Sequence, residues 1–480
     1  MSVARVFRSA GLVVVARVVT APISILVNAI AARVLGAGDF GLLYQALTFS
    51  SFAFLFVEWG QPNVVMAKVA VRHPIAGELL GSGIAWRVGA AVVAGCILPL
   101  ICALAGYDRE FILVLSLTML AATFTTVSGA CQDVLRGLER ADVAAGSFLA
   151  WQLLSAAIIV PTLLLGGGLY GLLVAQAAAA AAGVVFLLKL LLPRMRVPRL
   201  RVRIGTVKEL FHNGHSFLIF GLVLVLQPMI DAAMLSKLAS PQTMGWYAAA
   251  RKLVGALIFP ASALILALYP TLCRLRSESM AAFRSSAAEA LYVVAMAAAP
   301  LALGCAMFPE LGIALFGQHS YGPAAGDLRV LAGFVFLVYF SMPIGSCVFA
   351  AGRQKAWTMV QAGCVIVSLA LDPPLIRWFE AHGGNGGLGV CVAAVISEIT
   401  VVCGGAALLP AGILTSLPWA KIGGVLASAA AMAAVAAATR GLDEVLRACL
   451  AVLAYGLCLQ VSGACNFLRL RSLLAGLRAG

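Results

Sequence analysis

The chain has 480 residues, of which 62% are hydrophobic and only 11% are charged. Soluble domains carry about a quarter charged residues, so this composition excludes a water-soluble globular protein. The net charge of +14 does not indicate nucleic-acid binding, because the basic residues lie in short loops between apolar blocks and not in a soluble basic domain.

Apolar blocks follow one another along the chain, many of them about 20 residues long, the length of helix that crosses a hydrocarbon core of roughly 30 Å. Apolar and polar residues do not alternate, which disfavours a membrane β-barrel. We therefore expect an all-α polytopic membrane protein with about 14 transmembrane helices. Their expected bounds are 10–33, 40–62, 83–106, 110–131, 143–166, 169–192, 214–236, 246–270, 287–313, 327–350, 357–378, 387–409, 418–438 and 446–465.

Basic residues are distributed unequally between the loops that join these spans. The loops of one side carry 23 Lys and Arg residues, whereas those of the other side carry 6. Cytoplasmic loops are the basic ones in membrane proteins. The sequence therefore predicts that both termini lie in the cytoplasm and that the number of spans is even.

A basic segment, 196–213, separates two stretches of six expected spans. We expect an N-terminal lobe at 1–195, a cytoplasmic linker at 196–213, a C-terminal lobe at 214–410, and a peripheral helix pair with a basic tail at 411–480. The linker is interpreted first as a topology determinant. The alternative is that its arginines contact anionic phospholipid headgroups.

The two six-span stretches resemble each other in sequence. "ARVLGAGDFGLLY" (32–44) runs parallel to "SKLASPQTMGWYA" (236–248), with Arg33 matching Lys237 and Gly41 matching Gly245 at an offset of 204 residues. "RGLER" is similarly echoed by "AGRQK", and "GLYGLLVA" by "GGLGVCVA". Because six spans is an even number, the repeat predicts two lobes related by a parallel pseudo-twofold axis with a cavity between them.

The echoed segments, with "LYPTLCRL", "LFGQHSYGPAAGDLRVL" and "GGNGGLGVCVAAVISE", resemble the polysaccharide repeat-unit flippases (Wzx-like, O-antigen type). These belong to the multidrug/oligosaccharidyl-lipid/polysaccharide exporter superfamily. The resemblance implies translocation of undecaprenyl-diphosphate-linked oligosaccharide across a bacterial inner membrane by alternating access, for O-antigen, capsule or exopolysaccharide synthesis. Implied partners are the lipid-linked substrate, a polysaccharide polymerase and a chain-length regulator.

Cations within the expected spans are the first candidates for a binding site, because an ionisable group in mid-bilayer costs about 2.5–3.5 kcal/mol on insertion scales. Arg17 lies in the first span, and Arg251 and Lys252 lie in the eighth. A diphosphate that crosses the membrane needs such charges, and the arginine fork fits phosphate oxygens. The resemblance also implies arginines on the first and eighth helices that face the cavity. The alternative for Arg17 is a structural ion pair with a carboxylate such as Asp231.

Carboxylates within the spans are candidates for ion coupling. Asp231 follows the helix-opening pair Gln227-Pro228 and is the first candidate, while Glu58 and Glu398 are weaker ones. Structural ion pairs with the nearby cations are the alternative for all three. A set of aromatic and amide residues is a further, weaker candidate for a sugar-binding face, against packing: Gln45, Phe49, Phe52, Trp59, Gln61 and Asn63.

Two other functions remain as alternatives. A cation-coupled multidrug exporter of the same superfamily would share the fold, but its cavity would bind amphiphilic cations. An integral-membrane polysaccharide polymerase or ligase is less expected, since the outward loops are short and carry no catalytic pair. We therefore expect a transporter and not an enzyme. No metal or cofactor is expected beyond coupling to a proton gradient, a sodium gradient or the membrane potential.

Overall fold

The computed structural model describes the backbone of residues 3–71, 73–195 and 197–464, and the side chains of these residues from Thr20 onward except those at 220, 224, 266, 267 and 318. Within these ranges the chain is helical and contains no strand. The helices of the first half are α1 (Val3–Glu58), α2 (Gln61–Val71), α3 (Ala76–Leu104), α4 (Arg109–Gly137), α5 (Ala141–Leu164), α6 (Gly168–Val185), α7 (Leu192–Arg194) and α8 (Ile204–Leu238). A π-helical segment, Phe186–Leu191, joins α6 to α7.

The helices of the second half follow with short connections. They are α9 (Pro241–Glu278), α10 (Met280–Met307), α11 (Pro309–Ala314), α12 (Gln318–Tyr321), α13 (Ala324–Ala350), α14 (Gln354–Gly383), α15 (Gly386–Leu408), α16 (Trp419–Ala438) and α17 (Glu444–Val461).

The described residues contain twelve or thirteen candidate membrane spans, against about fourteen expected, and two helices bear on this number. In the described part of the chain, twelve helices are long and apolar enough to cross a membrane, and the bent α8 makes a thirteenth. Gly36 interrupts α1 with φ 76° and ψ 174°, so α1 is two helices joined end to end. Only glycine adopts such a φ without a steric penalty, and this break coincides with the loop expected at 33–39. The all-α polytopic fold class is confirmed.

Helix α8 begins at Ile204, ten residues before the expected start at 214. Its two parts, Ile204–Val223 and Val225–Leu238, are bent by 46°. A proline ring clashes with the carbonyl group four residues before it, and the bend lies four residues before Pro228. The expected opening at Gln227-Pro228 therefore takes the form of a bend one turn earlier.

By its internal contacts the chain divides into two compact units, Met1–Gly245 and Trp246–Gly480. The expected lobe boundary at the basic segment therefore differs from the contact boundary. The reason is that α8 packs on α1, α2 and α3, which places it in the first unit. The pseudo-twofold arrangement of two lobes stays a prediction.

The C-terminal pair α16 and α17 packs against itself and against α10. Tyr455 Oη donates to the Met296 carbonyl at 2.8 Å, and Tyr292 donates to the carbonyl of Ala464. These tyrosines lie in a buried cluster that also contains Met432 and Leu459. The pair is thus held to the second unit by apolar packing and by two tyrosine hydrogen bonds.

Candidate functional site

The two adjacent cations of α9 lie about 15 Å along the helix from its start, at 1.5 Å per residue. Both Arg251 and Lys252 are half-buried. The Arg251 guanidinium carbon lies 5.1 Å from the centre of the Phe334 ring and 5.9 Å from that of Tyr247. Aromatic faces attract a guanidinium group. The second unit therefore holds an arginine near two aromatic rings within a membrane-spanning helix.

Glu398 of α15 belongs to the same cluster. Its side chain is 9% exposed, and its Oε1 accepts a hydrogen bond from the Ser341 hydroxyl of α13. The charge of Arg251 acts on this carboxylate. Arg251 and Glu398 are therefore close enough to interact electrostatically, and the ion-pair interpretation of Glu398 stays a prediction.

Asp231 lies in the second part of α8, after the bend, and is 1% exposed. A carboxylate so deeply buried in a membrane-spanning helix needs hydrogen bonds or a cation to be tolerated. The structure keeps Asp231 as a candidate coupling group beside an irregular part of the helix.

Glu58 is the last residue of α1, whereas Asp231 and Glu398 lie within their helices. The chain turns sharply after it, with φ 50° at Trp59 and φ 68° at Gly60. Its Oε1 accepts a hydrogen bond from Thr126 Oγ1 at 3.1 Å. Glu58 therefore joins a polar network in the first unit that includes a second, fully buried arginine.

That arginine is Arg87 of α3, which is 1% exposed. Its guanidinium group donates to Gln61 Oε1 at 3.3 Å, to the Thr126 carbonyl at 2.8 Å and to Asp133 Oδ2 at 3.1 Å. Arg136 approaches the other oxygen of the same carboxylate at 3.1 Å. Four helices, α1 to α4, are joined by this Arg87 network.

The sequence did not predict the Arg87 network, because the expected span 83–106 places Arg87 only four residues from its start. Helix α3 begins at Ala76, seven residues before its expected start, so Arg87 lies about 16 Å inside the helix. The available signal was the apolar sequence on both sides of the arginine, "IAWRVGAAVV".

Two further carboxylates are buried in the second unit. Asp327 of α13 is 0% exposed and accepts from Asn385 Nδ2 at 2.9 Å. Asn385 in turn caps α15, since its Oδ1 accepts from the Gly387 amide at 3.1 Å. In α14, Asp372 is equally buried and accepts from Ser368 Oγ at 3.3 Å. Asp327 and Asp372 both belong to the second unit.

The remaining candidates from the sequence are Arg17 and the set of aromatic and amide residues. The Arg17 side chain lies outside the described residues. The Trp59 ring stacks on Phe211 at 4.2 Å, Phe49 packs edge-on against Phe111, and Gln61 holds Arg87. Trp59, Phe49 and Gln61 thus make packing or structural contacts, and the sugar-binding face stays a prediction.

Comparisons with known proteins agree with this architecture. A family model described as polysaccharide biosynthesis protein matches residues 6–276, which is more than half of the chain. No curated protein sequence matches. A lipid II flippase, MurJ, in an inward closed conformation is similar in structure with a TM-score of 0.71 at 12% identity, covering 94% of this chain and 98% of that one.

Two transporters of the MOP superfamily are similar as well. An inward-facing MATE family multidrug resistance transporter has a TM-score of 0.58 at 13% identity, covering 82% of this chain and 95% of that one. A transporter from Pyrococcus furiosus, described as having a binding pocket of reversed polarity, has a TM-score of 0.56 at 14% identity, covering 84% and 94%. The chain has the fold of these transporters and belongs to the polysaccharide biosynthesis protein family.

Proposed function

We propose that this protein is a flippase that moves oligosaccharide repeat units linked to undecaprenyl diphosphate across the bacterial inner membrane, for surface polysaccharide synthesis. The observation that carries the proposal is the adjacent pair Arg251 and Lys252 within a membrane-spanning helix. Membership of the polysaccharide biosynthesis family and the flippase-like fold support it.

The chemical argument concerns the diphosphate. A group with two or more negative charges that enters a low-dielectric region needs fixed cations and N–H donors to replace its water. Arg251 supplies both, and it lies near the Phe334 and Tyr247 rings. Lys252 adds a point charge beside it. Glu398 balances part of this positive charge when no substrate is bound. When a diphosphate binds, its negative charge repels the Glu398 carboxylate from the cations.

The test is translocation of a fluorescent lipid-linked oligosaccharide in proteoliposomes. We expect Arg251→Ala to slow translocation roughly tenfold to a hundredfold, the value of a charged hydrogen bond. Arg251→Lys should give a rate between those of the wild type and Arg251→Ala, because lysine keeps the positive charge but lacks the planar guanidinium group. Arg329→Gln is the control, since Arg329 is exposed and pairs with Glu310 at 2.9 Å.

Wild-type rates for a variant that combines Arg17→Ala, Arg251→Ala and Lys252→Ala would overturn the diphosphate role of these residues. Transport of an amphiphilic cation, without transport of the oligosaccharide, would support the multidrug exporter instead. That alternative draws on the likeness to the MATE family transporter.

Coupling to an ion gradient is assigned in this proposal to Asp231. Asp231 lies in the part of α8 that follows the 46° bend, so a change in the bend would move this carboxylate. We expect Asp231→Asn to remove the dependence of transport on a proton or sodium gradient. Initial rates at imposed gradients measure this, with Asp142→Asn as a control at an exposed carboxylate. Unchanged gradient dependence in Asp231→Asn would exclude Asp231 as the coupling group.

A further inference from the structure

An apolar groove lies on the first unit between α3 and the second part of α1. It encloses about 800 Å³, within the range of ligand-binding pockets, and every residue that lines it is apolar. The α3 side of the groove extends from Ala85 to Ile101, about 24 Å of helix. Val93, Ile97 and Ile101 are 56%, 48% and 53% exposed, so the groove opens outward. Its length approaches the depth of the hydrocarbon core.

One end of the groove is marked by aromatic rings. Trp86 lines the groove and donates its Nε1–H to the Val57 carbonyl at 3.0 Å. Phe211 of α8 lies 5.4 Å from Trp86 and stacks on Trp59. Tryptophan is enriched at the level of the lipid headgroups. This end of the groove is therefore placed at the membrane interface.

Immediately beyond the aromatic rings runs an extended basic ribbon, residues 197–203. Arg203 has extended backbone angles, φ −133° and ψ 122°, and its amide donates to Ser82 Oγ at 3.0 Å. Ser82 is one helical turn before Trp86, and Val207, which lines the groove, is one turn after Arg203. The ribbon and the groove are therefore separated by one turn of helix, about 5.4 Å.

The ribbon is held on α3 by its backbone. A methyl group at Gly77 would lie 2.6 Å from the Arg199 carbonyl oxygen, and one at Gly81 would lie 2.5 Å from that of Arg201. Four residues of α3, about 6 Å, match two residues of extended chain, about 6.6 Å, so the ribbon follows the helix. Because main-chain atoms make the contact, the side chains of both faces stay exposed.

Arginines at 199, 201 and 203 alternate in the sequence with Leu200 and Val202, which are 48% and 65% exposed. All three arginines are exposed, and Arg203 lies 3.9 Å from Glu78. Such a ribbon presents guanidinium groups to phosphates and apolar side chains to lipid.

We propose that the groove and the ribbon form one lipid-binding site, in which the polyprenyl chain lies along α3 and the diphosphate binds Arg199 and Arg201. The inference rests on the proposed function and assigns a place where the substrate is held on the first unit before transport. Charge complementarity selects the occupant: an uncharged lipid would use the groove alone, whereas an anionic lipid uses both parts.

The test is a titration of the full-length protein in detergent micelles with undecaprenyl diphosphate, followed by native mass spectrometry. Gly89 lines the groove, and a Cβ there meets nothing within 4 Å, so Gly89→Leu fills the groove without a clash. We expect Gly89→Leu to weaken binding at least about tenfold, since each excluded methylene is worth about fourfold. Gly95→Leu is the matched control: it lies on the same helix, has equally open space, and does not line the groove.

The basic ribbon is tested separately. The double substitution Arg199→Gln and Arg201→Gln should weaken binding about fivefold for each arginine. Arg274→Gln with Lys355→Gln removes two exposed charges elsewhere and should leave binding unchanged. Gly81→Val keeps every arginine but displaces the ribbon, so it should also weaken binding. If only the number of charges mattered, Gly81→Val would bind as tightly as the wild type.

Phosphatidylglycerol and inorganic diphosphate are the comparison ligands. Equal affinity for phosphatidylglycerol and undecaprenyl diphosphate would overturn the assignment in favour of a general contact with anionic phospholipid. Equal binding by Gly89→Leu and Gly95→Leu would overturn the assignment of the groove as the binding site of the polyprenyl chain. The same variants are assayed for translocation: a wild-type protein that transports no oligosaccharide contradicts the proposed function, whereas wild-type transport with unaltered binding in Gly89→Leu contradicts only this inference.

Discussion

Arg87 shows how a single ionisable residue is accommodated inside a membrane helix. Its guanidinium group makes three hydrogen bonds to Gln61, Thr126 and Asp133. The Asp133 carboxylate is shared with Arg136. Removing one member of a buried pair leaves the other charged and desolvated, which costs more than the pair itself contributes.

We therefore expect Arg87→Met to destabilise the protein by about 3–5 kcal/mol, the cost of breaking a buried pair. The shift in thermal unfolding in detergent measures it. Arg140→Gln is the control, because Arg140 pairs with Asp142 while both side chains are more than a third exposed, and such pairs contribute under about 1 kcal/mol. Equal shifts for the two variants would contradict the structural role of the Arg87 network.

At the scale of elements, two short segments that resemble each other in sequence pack backbone against backbone. A Cβ at Gly41 would lie 2.3 Å from the Pro241 carbonyl oxygen, and one at Gly245 would lie 1.9 Å from that of Ala37. Small residues allow membrane helices to approach in this way. The matching glycines at the 204-residue offset thus meet at one close contact.

Gly245→Ala should destabilise the protein by about 1–3 kcal/mol, the usual cost of overpacking, because the backbones at Ala37 and Gly245 must separate. Gly255→Ala is the matched control in α9, since a Cβ there meets nothing within 4 Å. Its expected effect is a gain of up to about 1 kcal/mol from helix propensity. Thermal unfolding of both variants measures these changes in stability. A Gly245→Ala variant that is more stable than the wild type would contradict the close contact.

At the scale of the whole molecule, the charge asymmetry between loops, 23 against 6, predicts the orientation in the membrane. Ser277 and Gly441 are exposed and lie on opposite predicted sides. In a variant that lacks the 12 natural cysteines, a membrane-impermeant maleimide added to spheroplasts should label a cysteine at 441 and not one at 277. The reverse pattern would place both termini outside the cytoplasm.

The sequence by itself determined the class of fold and the positions of the spans. These follow from composition and local pattern, because a helix in lipid satisfies its own backbone and each apolar block can be recognised without reference to the others. Gly36 and Pro228 likewise act on their own segments, so the break in α1 and the bend in α8 were visible as local signals.

Only the tertiary structure decided which polar residues meet. Arg87 and Asp133 are 46 residues apart and Asp327 and Asn385 are 58 apart, and no local periodicity pairs residues at such separations. The docking of the basic ribbon on Gly77 and Gly81 depends equally on the shape of a helix surface. Buried charges are tolerated only with specific partners, and those partners are chosen by packing between helices that are distant in the chain.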